Sequence, residues 1–394
     1  MNILLLSTVM SEKGFVNLLK KGEQPNPSNQ HFYHALACAL STFAQVNILT
    51  NRPYTSSKGR YFHKETEQEG NLNFHYLPFW NIRGIKGCNI AYSPLYHYKK
   101  LITKDTVIFV DALHVSLCEL AKRISRKYHL PMIGVITDHP KNLTNASISY
   151  QEKVLKNWQC FDGYYCLTDA LEKEANPLQL PSLIIEGIIE HHHTPLPYSE
   201  RLFDHYFFFG GALYERYGIE AMLKAFSHWK EKYQLIIAGH GPAMHIVKQY
   251  ALKDSRIHYL GLLSQEEVQH YERNCCLNIN PRPYQKTLDA LSVPSKVIEY
   301  IASGTPTLST EHSRLKEIFQ DDIFWMGKGE SKDIYNAFVD FMETSSEEKE
   351  KRAISAQKKA YALYSVSAVG EQIHSFLRAN ISASSSLDKI EKDK

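Results

Sequence analysis

The chain has 394 residues, of which 43% are hydrophobic and 22% are charged, a composition typical of a soluble globular protein. Its net charge of +3 is too small for the concentrated basic surface of a nucleic-acid-binding protein, so we expect no nucleic-acid partner. The length exceeds the roughly 250–300 residues that one hydrophobic core normally supports, which predicts two domains.

The spacing of the cysteines and the length of the apolar runs indicate the cellular compartment of the protein. Seven cysteines without metal-ligand or disulfide spacing favour a reducing environment. The N-terminal MNILLLSTVM lacks the basic region and the long apolar run of a signal peptide and predicts a buried strand instead. No apolar stretch of about 20 residues is available to cross a membrane. We therefore predict a cytoplasmic protein.

In the first half, apolar runs of strand length alternate with amphipathic helices, as in a parallel sheet covered by helices on both faces. The predicted helices include 29–41, with Ser28 as its N-cap, and 116–128. We assign residues 1–190 to one doubly wound, Rossmann-like α/β domain. Its predicted strands are 3–7, 46–50, 74–79, 107–111, 132–137, 164–168 and 183–186.

The alternation stops at residues 191–201, HHHTPLPYSER, where prolines and polar residues predict a linker. A second Rossmann-like domain, 202–360, follows, and its helix near 265 begins with a capping box of Ser264 and Glu267. We expect a helix at 361–380 to pack back on the first domain and residues 381–394 to form a flexible tail. The predicted strands of the second domain are 206–209, 235–238, 257–259, 277–280 and 307–309, and its other helices begin near 217, 242 and 294.

The segment PSKVIEYIASGTP, residues 294–306, has the signals of a short helix that begins at Pro294 and ends at Gly304. Its apolar residues share one face, whereas Lys296 and Glu299 lie on another. The free N–H groups of the first turn, the helix dipole and the ammonium of Lys296 together form a candidate anion site. An ordinary surface ion pair between Lys296 and Glu299 is the simpler alternative.

Two glycine-rich turns directly follow buried strands in the same half. Gly210 and Gly211 lie in FFFGGALYERYG, and Gly239 and Gly241 lie in LIIAGHGP. Glycine lets backbone N–H groups approach a ligand closely, although tight structural turns have the same composition. Strand ends in doubly wound domains face the ligand crevice, which favours a binding role.

Together these segments resemble the family-4 retaining glycosyltransferases (group 1 glycosyltransferases), in particular bacterial polysaccharide-biosynthesis members, whose donor segment reads PSK-x-x-E-Y-L-A-S-G-x-P. The resemblance implies the GT-B fold, in which two Rossmann-like domains face a central cleft and helices close the C-terminus. It also implies that a nucleotide diphosphate and its ribose are held by this helix. The implied donor-binding residues in the second domain are Ser295, Lys296, Glu299, Gly210, Gly211, Gly239, Gly241 and, through their backbone beside the base, Leu262 and Leu263.

The sequence departs from the family pattern at two places. Ala212 and Tyr217 stand where the family usually has Arg and Lys, so Arg216 and Arg282 are the candidate cations beside Lys296. Leu291 stands where the family has the first of two glutamates, and we expect backbone N–H groups of residues 289–293 to meet the sugar instead. The identity of the sugar stays open.

In the first domain, the resemblance points to three residues after predicted strands. Gly14 corresponds to a glycine that brings N–H groups to the leaving phosphate. His139 corresponds to a histidine beside the acceptor and the reactive carbon, with Asp138 orienting it, although a hydrogen-bonded turn residue is the alternative. His191 to His193 are adjacent and therefore ill suited to one ion. We expect no metal and no cofactor, since cations and helix N-termini replace the metal in this fold.

The resemblance thus implies a retaining hexosyltransferase that uses a nucleotide diphosphate sugar, with UDP as the nucleotide, and a hydroxyl of a glycan or lipid-linked acceptor. Its predicted catalytic residues are His139, Asp138 and Lys296. A nucleotide-sugar epimerase of GT-B architecture and a non-catalytic nucleotide-sugar-binding partner subunit stay open as alternatives. The cations on helix 116–128 predict peripheral contact with the inner face of an anionic membrane, a solvated helix face being the alternative. They are Lys122, Arg123, Arg126 and Lys127.

Overall fold

The computed structural model describes residues 1–23, 25–54, 59–143, 146–190, 203, 205–284, 291, 295–311 and 313–391, with the backbone alone for 295, 313 and 382–391. The chain divides into two compact units. Unit 1 comprises residues 1–190, 290–293 and 364–394, and unit 2 comprises residues 191–289 and 294–363. The predicted linker, 191–201, lies outside the described residues.

Unit 1 is built on an eight-stranded sheet in the order β10-β9-β8-β7-β1-β2-β5-β4. All neighbours are parallel except β4, which pairs antiparallel with β5. The central strands are continuous apolar runs because helices cover both faces of the sheet. The strands are β1 (Asn2–Ser7), β2 (Gln45–Thr50), β4 (Glu65–Glu69), β5 (Leu72–Tyr76), β7 (Thr106–Asp111), β8 (Met132–Ile136), β9 (Gly163–Cys166) and β10 (Ser182–Ile184), and a separate pair is formed by β3 (Tyr61–Phe62) and β6 (Phe79–Trp80).

The helices of unit 1 begin with side-chain caps that are largely legible in the sequence. One predicted cap was wrong: α2 begins at Pro27, and its N-cap is Asn26, whose side chain accepts the N–H groups of Ser28 and Asn29. Proline is favoured at the first helical position because it has no N–H to satisfy, and the helix therefore begins one residue before the predicted Ser28 cap. The helices are α1 (Glu12–Lys20), α2 (Pro27–Ser41), α3 (Ile85–Ala91), α4 (Val115–Tyr128), α5 (Ile148–Trp158) and α6 (Asp169–Ala175), with 3-10 helices at Leu95–Leu101 and Pro140–Asn142.

Unit 2 is built on a six-stranded parallel sheet in the order β13-β12-β11-β14-β15-β16. The predicted capping box of Ser264 and Glu267 is present at the start of α9. The strands are β11 (Tyr206–Gly210), β12 (Gln234–Ala238), β13 (Ile257–Gly261), β14 (Leu277–Asn280), β15 (Thr307–Thr310) and β16 (Phe324–Met326). The helices are α7 (Ile219–His228), α8 (Met244–Lys253), α9 (Gln265–Asn274), α10 (Ser295–Ala302), α11 (Ser313–Phe319), α12 (Ser331–Glu343) and α13 (Ser346–Tyr364), with 3-10 helices at Glu215–Tyr217 and Gln320–Asp322.

The last helix, α14 (Val366–Glu391), packs against α2 within unit 1. The predicted flexible tail from residue 381 is wrong for residues 381–391, which continue this helix. The buried stripe of the helix, Val369, Ile373, Leu377 and Ile381, repeats every four residues and crosses the predicted boundary. No Pro or Gly follows it to stop the helix.

Strands β3, β4, β6 and β16 were not predicted as separate strands, because they are short or lack the alternation of a half-buried strand. Strand β4 reads ETEQE and forms the polar outer edge of the sheet, and β16 is a three-residue edge strand. Among the described residues, no helix is both long and apolar enough to span a membrane.

The close approach of α14 to α2 depends on Gly370. A Cβ at this position would lie 2.7 Å from the carbonyl oxygen of Ala39 and 2.2 Å from Oγ1 of Thr42. We therefore expect Gly370→Val to lower the free energy of unfolding by about 1–3 kcal/mol through overpacking, measured by denaturant titration. Ser375→Val, at an exposed position of the same helix, is the matched control. Equal stability of the two variants would show that the helices separate without cost.

Candidate functional site

The carboxyl ends of β11 and β14 form a switch point in the sheet of unit 2. Strand β11 lies between β12 and β14. From β11 the chain continues to β12 and β13 on one side, and it then crosses back to β14 on the other side. Ligands of doubly wound sheets bind outside the carboxyl ends of strands at such points. Gly210, Ala238 and Asn280 end the three strands at this edge.

The two predicted glycine turns pack directly against each other at this edge. Gly239 has φ of 132°, and a Cβ there would lie 1.8 Å from the carbonyl oxygen of Gly211. A Cβ on Gly241, at φ 158°, would lie 2.3 Å from the carbonyl oxygen of Leu213. The glycines are thus required by the packing of the two turns, and their contact with a ligand stays a prediction.

Tyr300 joins helix α10 to the glycine turn after β11. Its buried hydroxyl accepts the N–H of Gly210 at 3.0 Å and donates to the carbonyl oxygen of the same residue at 3.2 Å. This tyrosine was not predicted as a site residue, although it lies inside the PSKVIEYIASGTP motif. The bond fixes how far the first turn of α10 lies from the end of β11.

Lys296 lies between two carboxylates on the outward face of α10. Its Nζ is 2.7 Å from Oε2 of Glu299 and 3.7 Å from Oε1 of Glu272, a residue of α9. The ion pair of the simpler alternative is therefore present, but Lys296 is half-buried and a second carboxylate faces it. Burial alone would lower the pKa of Lys296, and the charges of Glu299 and Glu272 raise it, so the ammonium stays charged.

Glu272 is a buried acid that the sequence did not indicate. The residue is 1% exposed, and within the described part of the chain its Oε1 has no hydrogen-bond partner. Burial raises its pKa to about 7, against the lowering effect of Lys296. No signal in QHYERN distinguishes this glutamate from a solvated helix residue.

Arg216 and Arg282 converge on the ring of Tyr217. The guanidinium carbons lie 5.3 Å and 5.7 Å from its centroid. Tyr217 stands where the family usually has a lysine, so an aromatic ring holds two cations near the position of the missing one.

The remaining predicted donor residues are placed differently from one another. Leu263 packs against the buried cluster around Phe208, whereas Leu262 is 75% exposed. Ser295 begins α10, and its side chain is outside the described part of the chain, as are residues 289–293 apart from Leu291. Contact of these segments with a base or a sugar stays a prediction.

Gly14 lies in the first turn of α1, where other side chains make close contacts. Its N–H donates to Oγ of Ser11, and a Cβ would lie 2.8 Å from the hydroxyl of Tyr76. Two carboxylates of β4 contact the same helix start: Glu67 accepts the hydroxyls of Ser11 and Tyr76, and Glu69 accepts the N–H of Glu12. Carboxylates of the chain itself thus satisfy part of the N-terminus of α1, and the phosphate contact of Gly14 stays a prediction.

His139 is 1% exposed and has both ring nitrogens engaged. Nδ1 accepts the N–H of Lys141 at 3.0 Å, so Nε2 carries the proton that is donated to Glu174 at 2.8 Å. Asp138 accepts the backbone N–H of His139 and the side chain of Asn142. This geometry favours the hydrogen-bonded turn residue over direct chemistry, and the catalytic role stays a prediction.

The carboxyl edge of the sheet of unit 1 also holds two titratable residues that sequence reasoning missed, the buried Asp111 and the partly buried His114. Asp111 ends β7, and burial raises its pKa to about 6, while the N–H of Leu113 lowers it. His114 caps α4, and burial lowers its pKa to about 4, so the imidazole is neutral. Strand β7 neighbours β1, where the chain reverses direction.

One family model matches most of the second unit. Residues 204–344 match the family model described as glycosyl transferases group 1. This match confirms the prediction that the chain is a glycosyltransferase. Among curated proteins, none has a significantly similar sequence.

Solved structures share the fold over nearly the whole chain. Sucrose-phosphate synthase from Thermosynechococcus elongatus is 12% identical with a TM-score of 0.68, covering 97% of this chain and 100% of that one. Trehalose-6-phosphate synthase from Burkholderia multivorans is 11% identical with a TM-score of 0.67 and 98% coverage of both chains. HepE from Anabaena, in complex with UDP, is 12% identical with a TM-score of 0.66, covering 96% and 100%. The GT-B fold predicted from the sequence is confirmed.

Glu272 provides a test of the buried charge cluster. Because its pKa of about 7 lies above the ordinary 4.5, the folded state binds a proton that the unfolded state has released. Stability is therefore lost as the pH rises from about 5 to about 8. Glu272→Gln removes this loss, so its melting temperature relative to the unsubstituted protein is expected to be higher at about pH 8 than at about pH 5.

Glu266→Gln, at an exposed position of the same helix, is the matched control. Its melting temperature is expected to differ from that of the unsubstituted protein by the same amount at both pH values. Calorimetry of the three proteins measures the effect. A relative melting temperature of Glu272→Gln that falls with pH would mean that the ionised carboxylate stabilises the fold.

Proposed function

We propose that the protein is a retaining hexosyltransferase that moves a hexose from a nucleotide diphosphate sugar to a hydroxyl of a glycan or lipid-linked acceptor in surface polysaccharide biosynthesis. One observation carries the proposal. Lys296 and Glu299 lie at the start of a helix that Tyr300 ties to the glycine turn at the switch point of unit 2. This region lies within the group 1 glycosyltransferase match.

The chemical task of such a site is to stabilise the charge that develops on the departing diphosphate. Lys296 supplies an ammonium at the N-terminal end of α10, where the helix dipole adds to its effect. Arg216 and Arg282 supply two further cations around Tyr217. When Glu299 turns to the ribose hydroxyls, Lys296 is released from its ion pair and its charge becomes available to the phosphates.

The nucleotide and the stereochemistry are proposed with support from structural neighbours. HepE is solved with UDP, and a trehalose-6-phosphate synthase from E. coli with UDP-2-fluoro glucose. Another trehalose-6-phosphate synthase structure concerns glycosyl transfer with retention. We therefore propose UDP as the nucleotide and front-face attack by the acceptor, whose proton passes to the leaving phosphate. We expect this chemistry to need no metal.

Unit 1 is proposed to bind the acceptor. Asp111, His114, Asp138 and His139 follow neighbouring strands at the carboxyl edge of its sheet. Because His139 is buried and doubly hydrogen-bonded, we propose that it holds the Pro140–Asn142 turn, and that Asp138 is the more accessible of the pair.

Transfer and donor binding are tested together with Lys296→Ala. Loss of a charged hydrogen-bond partner to phosphate costs about 1.5–3 kcal/mol, so UDP affinity measured by calorimetry is expected to fall about 10–100-fold. Lys224→Ala is the matched control, since this exposed lysine forms an ordinary i, i+4 pair with Glu220. Circular dichroism checks that both variants fold.

The reaction itself is assayed with labelled UDP-hexoses and hydroxyl acceptors, with the anomeric configuration of the product determined by NMR. Transfer with retention is expected. Inversion at C2 of the free nucleotide sugar would instead identify an epimerase, and binding without turnover would identify a partner subunit. Unchanged UDP affinity in Lys296→Ala would overturn the assignment of the donor site.

The lipid-linked form of the acceptor is supported by an exposed surface of unit 1. Residues 71–104 contain no Asp or Glu and five cations: Arg83, Lys86, Lys99, Lys100 and Lys104. Within this stretch, large apolar side chains are exposed to solvent, although core residues of the same stretch are buried. Aromatic and basic residues together are typical of surfaces that lie on anionic membranes. We call this the apolar-basic surface: Trp80, Ile82, Ile85, Tyr92 and Tyr96 with Arg83, Lys99 and Lys100.

The basic face predicted on α4 is only partly available to such a membrane. Lys122 bonds Asn157 and Glu119, and Arg123 donates to the carbonyl oxygens of Ala91 and Ser93. These two cations therefore hold α4 to its neighbours. Arg126 and Lys127, by contrast, are exposed on the last turn of α4. They lie near the apolar-basic surface, because the hydroxyl of the adjacent Tyr128 donates to the carbonyl oxygen of Leu95.

The double variant Lys99→Glu/Lys100→Glu tests this surface. Each basic residue contributes about 1 kcal/mol near an anionic membrane, so partitioning onto phosphatidylglycerol vesicles is expected to fall at least about tenfold. Trp80→Ala is expected to weaken binding to the same vesicles. Lys351→Glu/Ile354→Ala, at exposed positions of α13, is the matched control. Equal partitioning of all variants in co-sedimentation would exclude this surface.

A further inference from the structure

A cluster of metal-ligating side chains lies in unit 1, apart from the residues assigned to donor binding. His34 and Cys38 are one turn apart on the same face of α2, and Glu190 reaches both of them. Nδ1 of His34 contacts Oε1 of Glu190, and Sγ of Cys38 lies 3.9 Å from Nδ1 and 3.6 Å from Oε1 of Glu190. All three ligand atoms lie within 4.8 Å of one another. We refer to these residues as the His34 cluster.

A fourth residue, Glu69, orients the imidazole from its other side. Oε1 of Glu69 lies 2.6 Å from Nε2 of His34. Metal-bound histidines almost always donate their second N–H to a carboxylate, a carbonyl or water, which fixes the tautomer and the ring plane. With Nε2–H bound to Glu69, the lone pair of a neutral His34 lies on Nδ1 and faces Cys38 and Glu190.

We propose that the His34 cluster is a Zn²⁺ site with Nδ1 of His34, Sγ of Cys38 and an oxygen of Glu190 as its protein ligands. Nitrogen, thiolate sulfur and carboxylate oxygen are the ligand types of zinc. Bond lengths of about 2.0–2.3 Å in a tetrahedral site place ligand atoms about 3.3–3.8 Å apart, close to the two distances that Cys38 makes. The directly contacting His34 and Glu190 would separate by side-chain rotation to admit the ion.

The charge balance of the cluster fits a divalent ion. Carboxylates face His34 from both sides, Glu190 at Nδ1 and Glu69 at Nε2, and Cys38 adds a third group that binds metal as an anion. Metal ligands bind in their deprotonated forms, so the two carboxylates and the thiolate would face Zn²⁺ with negative charge. The ion would therefore not be an uncompensated charge in a partly buried site.

The site would be structural and separate from the donor chemistry. Glu190 is the last described residue of unit 1 before residues 191–202. A zinc ion would hold Glu190, at the end of the first segment of this unit, to α2, the helix on which α14 also packs. Bound metal is therefore expected to raise the melting temperature of the full chain.

Zinc binding is tested on the full chain in a background that carries His191→Ala, His192→Ala and His193→Ala, which removes the three other imidazoles that directly follow Glu190 in the sequence. The protein is stripped with a chelator and titrated with Zn²⁺ against a competing indicator. One equivalent is expected to bind, and Cys38→Ala is expected to lose more than about 100-fold in affinity. Glu69→Gln is expected to lose about 10–100-fold, as is typical of an outer-shell partner.

Cys88→Ala, at an exposed position of α3, is the matched control for loss of a thiol. Cobalt substitution adds a spectroscopic readout, since a thiolate-to-cobalt absorption band should appear in the background chain and in Cys88→Ala but not in Cys38→Ala. Near-ultraviolet circular dichroism confirms that each variant is folded. Failure of the background chain to bind one equivalent, or equal zinc affinity in Cys38→Ala, would overturn the proposal and leave the cluster as a buried ion pair.

Discussion

The hydrogen bonds between Tyr300 and the backbone of Gly210 are the constraint on which the candidate donor site depends. They join a helix that carries Lys296 and Glu299 to the end of the strand that begins the glycine turn. The second glycine turn is in turn held by contact with the first, through Gly239 and the carbonyl of Gly211. A buried phenol with both of its hydrogen-bonding functions satisfied is rigid, so the candidate anion-binding groups are held in position by the fold itself.

Much of the fold was predictable because parallel sheets bury their strands on both faces and so leave apolar runs in the sequence. Ile3, Val46 and Val107 mark such runs, and the strands containing them were found within one or two residues of their ends. The polar edge strand β4 was missed because its residues contact solvent and other polar groups, so it leaves no apolar run in the sequence. The helix beyond residue 380 was missed because serine-rich composition suggested solvation, whereas Ile381 continues a buried stripe.

The geometry of the candidate site was predictable where its residues are close in sequence and not where it depends on tertiary contacts. Lys296 and Glu299 form the pair that their spacing allows, and the glycine turns meet as strand ends should. Glu272 approaches Lys296 from another helix, and Glu67 reaches Ser11 from a strand more than fifty residues away. No local sequence pattern therefore indicates either contact. The family comparison likewise covers unit 2 residues, whereas the polar edge of unit 1 has geometry alone to describe it.

The carboxylates of strand β4 have a consequence for how the molecule behaves among copies of itself. This strand forms one outer edge of an eight-stranded sheet, where unpaired backbone groups are a template for pairing with another chain. Glu65, Glu67 and Glu69 alternate along it, so two such edges brought together would oppose rows of negative charge. The residues that satisfy the first helix thus also discourage edge-to-edge aggregation.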